Sequence, residues 1–284
     1  MILKRRRNIY KFLTLYSAIA DMEISGKSFH LNLSIDDMTA RIWAKFLGAG
    51  HRVLSYLRNL PVRLRRLGTH LWKGMLFLRP LKRQKWVSGI SSIIAPRIGM
   101  WWLELFIYIL DSLGIPELYE TIMDFVKFNT RALYKWEIAL ARSVFGNAID
   151  YRRVRIDEYS FAGPRQKKFC YVSFYVINSW GSMQNSIFIH EMTHVWQFEK
   201  MGSVYIPHAL KAQQSEMGYN YGGVSALKAC QEKGKSFRSF NLEQQGDIIS
   251  DYYRIRDGYQ PLWGNGSRHD LPIYESFVDQ LKNG

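Results

Sequence analysis

Along residues 38–83 the apolar positions fall at helical spacing: Trp43, Phe46, Leu47, Leu54, Leu57, Leu60, Leu64, Leu67, Leu71, Met75 and Leu78, with basic residues in the gaps. This predicts a helical hairpin or helix pair with one apolar and one cationic face, broken at Pro61 and Pro80. Residues 100–147 continue at helical spacing. Pro116 opens a segment over 118–128, and Asn129 or Thr130 is placed to cap the next. The pattern then changes. Residues 150–156 and 169–177 are rich in Val, Ile, Tyr and Phe with partial alternation, separated by Gly163-Pro164, which predicts strands. Helical spacing returns over 186–201, ending at Gly202, and again over 242–254. The expected fold is α+β and mainly helical, with a boundary near 130: a basic, aromatic-rich helical region over 1–130 and a second domain over 131–284.

Charge sharpens that division. The 284 residues carry Lys+Arg 39 against Asp+Glu 24, a net of +15. Residues 38–103 hold thirteen bases and no acid, whereas residues 104–284 hold twenty of each. The basicity therefore belongs to one segment. Trp43, Trp72, Trp86, Trp101 and Trp102 lie among its bases. An anionic membrane surface suits that mix of apolar, aromatic and cationic residues. A merely solvated face, nucleic acid as a lesser alternative, and other acidic partners remain open.

A membrane-spanning helix needs about 20 mostly apolar residues. The longest run free of Lys, Arg, Asp and Glu, 169–190, has Asn178, Ser179, Gly181, Ser182, Gln184 and Asn185 in its middle, so it reads as a loop. Glu104 and Asp111 interrupt the other apolar stretch. At the N-terminus, Lys4 to Arg7 followed by an apolar run and Ala18-Ile19-Ala20 imitates a secretory signal weakly, because Lys11 shortens the apolar core. An amphipathic first helix is the simpler expectation. Compartment stays open between the cytoplasm and export. Cys170 and Cys230 lack metal-type or redox-type spacing and are expected as free thiols, or as one disulfide if the protein is exported.

The chemistry concentrates at His190-Glu191-Met192-Thr193-His194. Four residues is slightly more than one helical turn, so both imidazoles project toward a common point, and neutral imidazole suits Zn2+. Glu191 lies beside that point, placed to act as a base toward water. The extended motif with a third histidine fails, because Gln197 and Lys200 stand where Gly and His would be. Farther on, Glu243 and Asp247 are four residues apart and share a helix face. Glu243 is the expected third ligand, and Asp247 the acceptor that fixes a ligand histidine's tautomer. This E-x-x-x-D arrangement is similar to that of thermolysin-like gluzincins, although 48 residues separate His194 from Glu243 here.

Further strings extend the likeness: Ala141 to Gly146, Ile149-Asp150-Tyr151, Val154-Arg155-Ile156, His190 to Gln197, Gly218 to Gly223 and Asn241 to Tyr253. Together they resemble the zinc-metallopeptidase domains of bacterial Vgr-related proteins, which occur as effector cargo of type VI secretion systems. The resemblance covers about 137–255, under half the chain. It implies a zincin-like fold, His190, His194 and Glu243 as ligands, Glu191 as catalytic base, and a protein or peptide substrate. It implies nothing about residues 1–130.

Other residues carry weaker signals. His208 is an alternative ligand that more simply sits in an exposed loop. Tyr219 or Tyr221 could donate to a developing oxyanion, or their rings could simply pack around a glycine-rich turn. Gly222-Gly223 reads as that turn, not as a phosphate loop. Trp196 and Phe198 are expected in the core or cleft wall. The expected activity is metal-dependent peptide-bond hydrolysis. The alternative is a membrane-surface or other binding protein whose zinc site is structural or vestigial.

Overall fold

The computed structural model describes residues 35–81, 91–127, 130–160 and 170–283. Its elements are α1 (Ile35–Leu81), α2 (Ser91–Ser112), α3 (Ile115–Val126), β1 (Thr130–Ala132), α4 (Lys135–Phe145), β2 (Arg155–Asp157), β3 (Tyr171–Ser173), β4 (Val176–Asn178), α5 (Asn185–Met201), α6 (Tyr205–Gln213), α7 (Gly223–Glu232), α8 (Leu242–Arg256) and α9 (Leu271–Asn283). The protein is mainly helical α+β with one small mixed sheet. Its compact units are Met1–Leu47 and Gly48–Gly284. Residues 131–284, expected as a domain of their own, lie in the second unit together with 48–130. The signal-like N-terminus falls outside the described residues.

In the first unit, the described residues are the opening of α1, where Trp43 and Leu47 are exposed. Everything that follows concerns the second unit.

Two expectations about the helices require correction. Residues 38–83 were expected as a hairpin broken at Pro61 and Pro80, yet α1 runs through both prolines to Leu81. Proline removes one backbone donor and leaves the carbonyl four residues earlier unpaired. Pro61 and Leu57 both lie on the exposed side, so water can satisfy that carbonyl. Thr130, expected as a helix cap, instead starts β1, and α4 begins at Lys135. There Tyr134 precedes the helix, and Glu137 reaches back to the Tyr134 amide at 2.6 Å, neutralising an orphan donor of the first turn. Pro116 does sit in the first turn of α3, where its missing N–H costs nothing.

The sheet has the order β1-β2-β4-β3, with β2 and β4 parallel and both edges antiparallel. The run expected as a single strand over 169–177 is a hairpin whose turn is Phe174-Tyr175. Phe174 has φ 60°, an uncommon conformation for a bulky side chain. It is held by ring contacts to Tyr119 and Phe198 and by the bond from the Tyr175 amide to Glu120 Oε1 at 2.9 Å.

The core lies between the sheet, α5, α8 and α9. Ile156, Ile177, Ile189, Met192, Ile248, Ile249, Tyr274 and Phe277 are fully enclosed there. α5 and α8 are buried on all sides, so their polar residues must find partners inside the protein. Trp196 and Phe198 belong to this core. Cys170 and Cys230 are free thiols.

The basic helices are tied onto this core by buried polar contacts. Arg63 forms a bidentate pair with Glu117 and donates to the Asp111 carbonyl at 2.7 Å. Arg66 donates to the carbonyls of Glu199 and Lys200, at the C-terminal end of α5, at 3.0 and 2.7 Å. Asp111 accepts from the Ser203 amide at 2.9 Å and from its hydroxyl. Between them lies Gly202 at φ 76°, and a Cβ there would overlap the Asp111 carboxylate. The outer faces stay apolar: Leu54, Leu57, Leu64, Trp72, Met75, Trp102, Phe106 and Leu113 are all exposed. No single helix among the described residues is long and apolar enough to cross a membrane.

Candidate metal centre

α5 supplies His190, Glu191 and His194, and α8 supplies Glu243 and Asp247. α8 starts at a well-formed cap: the Gln244 amide donates to Asn241 Oδ1 and the Gln244 side chain accepts from the Asn241 amide. That cap places Glu243 in the first turn, facing α5.

Three atoms converge. His190 Nε2 and His194 Nε2 are 3.1 Å apart, and Glu243 Oε2 lies 3.3 and 3.4 Å from them. The opposite ring nitrogens are engaged elsewhere. His190 Nδ1 is 2.7 Å from Asp247 Oδ1, and His194 Nδ1 is 2.8 Å from Gln197 Oε1. Gln197 is itself oriented, because its amide nitrogen donates to the Leu242 carbonyl at 2.9 Å and to Gln245 Oε1 at 3.1 Å. Each Nδ1 thus faces an acceptor and must carry the hydrogen. In the neutral rings both Nε2 atoms then present lone pairs to each other and to a carboxylate oxygen. That cluster repels itself unless a cation sits in it.

The spacing fits a small divalent cation. A tetrahedral Zn2+ with ligands at about 2.0–2.2 Å holds its donors roughly 3.3–3.5 Å apart. All three residues are buried, and they form the metal-capable cluster found among the described residues. Glu243 Oε2 has no hydrogen-bond partner, while Oε1 accepts from Gln213 Nε2 at 3.0 Å. Burial opposes the charge on Glu243, yet the two imidazoles outweigh it and hold its pKa well below the usual carboxylate range. For His190, burial disfavours the charged ring, but Asp247 and Glu243 overcome that and raise its pKa. A proton is therefore the natural competitor of a metal here.

Glu191 is differently placed. It lines the cleft, and its Oε2 is buried without a partner. Burial raises its pKa, against the opposing pull of His194 and His190. A carboxylate that costs energy to keep charged and stands free beside the cluster is equipped to accept a proton.

The cleft has a volume of about 860 Å³. Ile187, Ile206, Ala209, Leu210, Leu262 and Trp263 make its walls apolar, and His190, Glu191, His194 and Glu243 lie among its lining. The two tyrosines separate. Tyr219 lines the cleft and lies 5.9 Å from His190, ring centre to ring centre. Tyr221 turns into the core, where its hydroxyl donates to Asp251 Oδ2 at 2.8 Å and meets the Tyr274 hydroxyl at 2.7 Å. His208 also lies apart, paired with Glu104 at 3.0 Å.

The chain is similar to part of the type VI secretion system spike protein VgrG2b of Pseudomonas aeruginosa. The two are 35% identical over 136 residues, which is 43% of this chain and 13% of that protein. The chain thus matches a small part of that relative's length. Among solved structures, the effector domain of Pseudomonas aeruginosa VgrG2b covers 52% of this chain and 83% of its own, at 24% identity and a TM-score of 0.33. No family model matches.

The sequence reading missed four residues around the cluster. Gln197, which counted against the extended motif, is the partner of His194. Gln213 anchors Glu243, and the Trp263 indole N–H donates to Asp247 Oδ2. Gly246 lies under the His190 ring: a Cβ there would sit 2.6 Å from Cε1. Its place between Glu243 and Asp247 was the available signal; Gln213 and Trp263 had none.

Proposed function

We propose that the chain is a zinc-dependent metallopeptidase, delivered as an effector by a secretion system. The observation that carries the reading is the converging His190, His194 and Glu243 donors, with both Nδ1 atoms locked by acceptors, beside the free Glu191 carboxylate in an open cleft. Similarity to a stretch of a type VI spike protein supports the mode of delivery.

In this reading His190, His194 and Glu243 hold the ion, and Asp247 and Gln197 fix the tautomers of the two rings. Zinc, when bound, polarises a carbonyl and lowers the pKa of water. Glu191 takes the proton of the attacking water and passes it to the departing amine. Tyr219, which lines the cleft with its ring 5.9 Å from that of His190, donates toward the developing oxyanion. The apolar walls seat substrate side chains, which suits a peptide better than a small polar substrate.

The test pairs metal content with activity. Wild type should carry zinc near one per chain and cleave an unfolded generic protein; His190→Ala should lose both. Glu191→Gln should keep zinc while hydrolysis falls by on the order of 10²–10⁴-fold. Unchanged cleavage in that variant overturns the assignment.

A second reading, attachment to an anionic membrane surface, is favoured by the exposed Leu54, Leu57, Trp72, Met75 and Trp102 within the acid-free segment 38–103. Full-length protein should sediment with phosphatidylglycerol vesicles and not with phosphatidylcholine ones. Equal recovery with both removes it.

A further inference from the structure

A second cleft, of about 440 Å³, opens where α1 faces the turn leading into β2. Its lining includes five arginines, Arg52 and Arg58 from α1 and Arg152, Arg153 and Arg155 from the turn and strand, against two carboxylates, Glu120 and Asp150. Asp124 and Glu117, outside that lining, pair with Arg52 at 2.8 Å and with Arg153 at 3.7 Å, so the uncompensated positive charge rests on Arg58 and Arg155.

The partners show which of these guanidiniums are satisfied. Arg152 is paired with Asp150 at 2.9 and 3.1 Å. Arg153 lies over the Tyr175 ring at 3.7 Å and donates to that residue's hydroxyl at 2.7 Å. The other three are short of partners. Arg52 donates one Nη to Asp124 at 2.8 Å, but its other Nη is buried with no hydrogen bond. Among the described residues Arg155 donates only to the backbone carbonyls of Arg152 and Val154. Arg58 is exposed and forms no ion pair among the described residues. Glu120 gives Arg52 a second, longer ion pair, Oε2 to Nε at 3.8 Å, while its Oε1 accepts from the Tyr175 amide. A buried guanidinium N–H without an acceptor is costly, and gathering like charges adds to the cost. One tetrahedral oxyanion offers several acceptors and at least one negative charge, and guanidinium forks match it in geometry.

We propose that this cleft binds a phosphate-bearing anion, held by Arg52, Arg58 and Arg155. The phosphate can come from a soluble phosphate compound or from a phosphomonoester lipid headgroup. Neither source involves the metal cluster, so the site stands or falls independently of the peptidase reading.

The experiment uses the full chain in phosphate-free buffer. One arm is calorimetric titration with inorganic phosphate and with pyrophosphate. The other is flotation with phosphatidylcholine vesicles containing phosphatidic acid or, at matched surface charge, phosphatidylglycerol. Binding of phosphate or pyrophosphate assigns a soluble source; preference for phosphatidic acid alone assigns the headgroup. Either result should weaken about tenfold or more in Arg58→Gln, the loss of one charge-assisted hydrogen bond. Lys233→Gln, remote in sequence and equal in charge change, should bind as wild type. Arg58 is exposed, so its variant keeps the fold; Arg155→Gln supplies a second reading if its thermal unfolding matches wild type. The proposal is overturned if no probe binds, if phosphatidic acid and phosphatidylglycerol are taken equally with no phosphate binding, or if Arg58→Gln and Lys233→Gln behave alike.

Discussion

Gly246→Ala probes the cluster through a single methyl group. The added Cβ would lie 2.6 Å from His190 Cε1, 2.8 Å from Nδ1 and 2.9 Å from Nε2, against an ordinary contact of about 3.5 Å. The imidazole must therefore retreat by roughly 0.6–0.9 Å. Its Nδ1 is held at 2.7 Å by Asp247, on the same helix as Gly246, and a shift of that size takes the bond out of hydrogen-bonding range. Over-packing of this kind costs about 1–3 kcal/mol, whereas alanine in a helix gains about 1 kcal/mol over glycine. The metal-free protein should thus lose only about 0–2 kcal/mol of stability. Zinc affinity has no such offset and should fall about 10–100-fold, the usual effect of losing a partner that orients a ligand. Competition against a chromophoric chelator, with apo-protein melting curves alongside, measures both. Wild-type zinc affinity in Gly246→Ala would refute the claim that this glycine exists to seat the ring.

Asp247→Asn should cost a similar 10–100-fold in zinc affinity and change Trp263 fluorescence, because the indole N–H loses its carboxylate; an unchanged emission spectrum would contradict the contact. Asp111→Ala leaves the Ser203 amide buried without an acceptor and should destabilise the chain by about 1–3 kcal/mol in urea unfolding, with less effect in Asp111→Asn. Burial raises the Glu120 pKa from 4.5 to about 7, against the bond from Tyr175 and the nearby arginines. A carboxyl whose folded pKa exceeds its unfolded one favours folding at low pH, and that advantage is lost as pH rises from about 4.5 to 7. The loss is at most about 3 kcal/mol. Glu120→Gln should flatten this part of the stability–pH curve; an unaltered slope would show that Glu120 does not titrate there.

What could be read from the sequence was local. Two histidines four residues apart must share a helix face, and so must Glu243 and Asp247, so each half of the cluster was visible before any fold was known. The sheet was legible only in outline: β2, β3 and β4 fall at or within the runs expected as strands, but at three residues each they are too short for alternation to fix their bounds, and the Phe174-Tyr175 turn hid inside an apolar run. Pro61 misled because a break rule presumes that the freed carbonyl lacks water, which an exposed helix face supplies. Tyr219 and Tyr221 differ by two residues yet one lines the cleft near His190 and the other is buried against Tyr274, a choice set by packing partners far along the sequence. Gln213 and Trp263 reach the cluster only through tertiary contacts, so no spacing could announce them.

The anchoring of α5 bears on how freely the half that holds the His190–His194–Glu243 cluster could be moved from one protein to another. The end of that helix is closed from outside by Asp111 and Arg66, residues of the basic helices rather than of the segment that bears the metal donors. Recombination that moved the C-terminal half alone onto a new partner would carry every residue of the cluster and leave the helix end open. A successful graft must bring a carboxylate and a guanidinium with it, so the portable unit is larger than the motif-bearing segment.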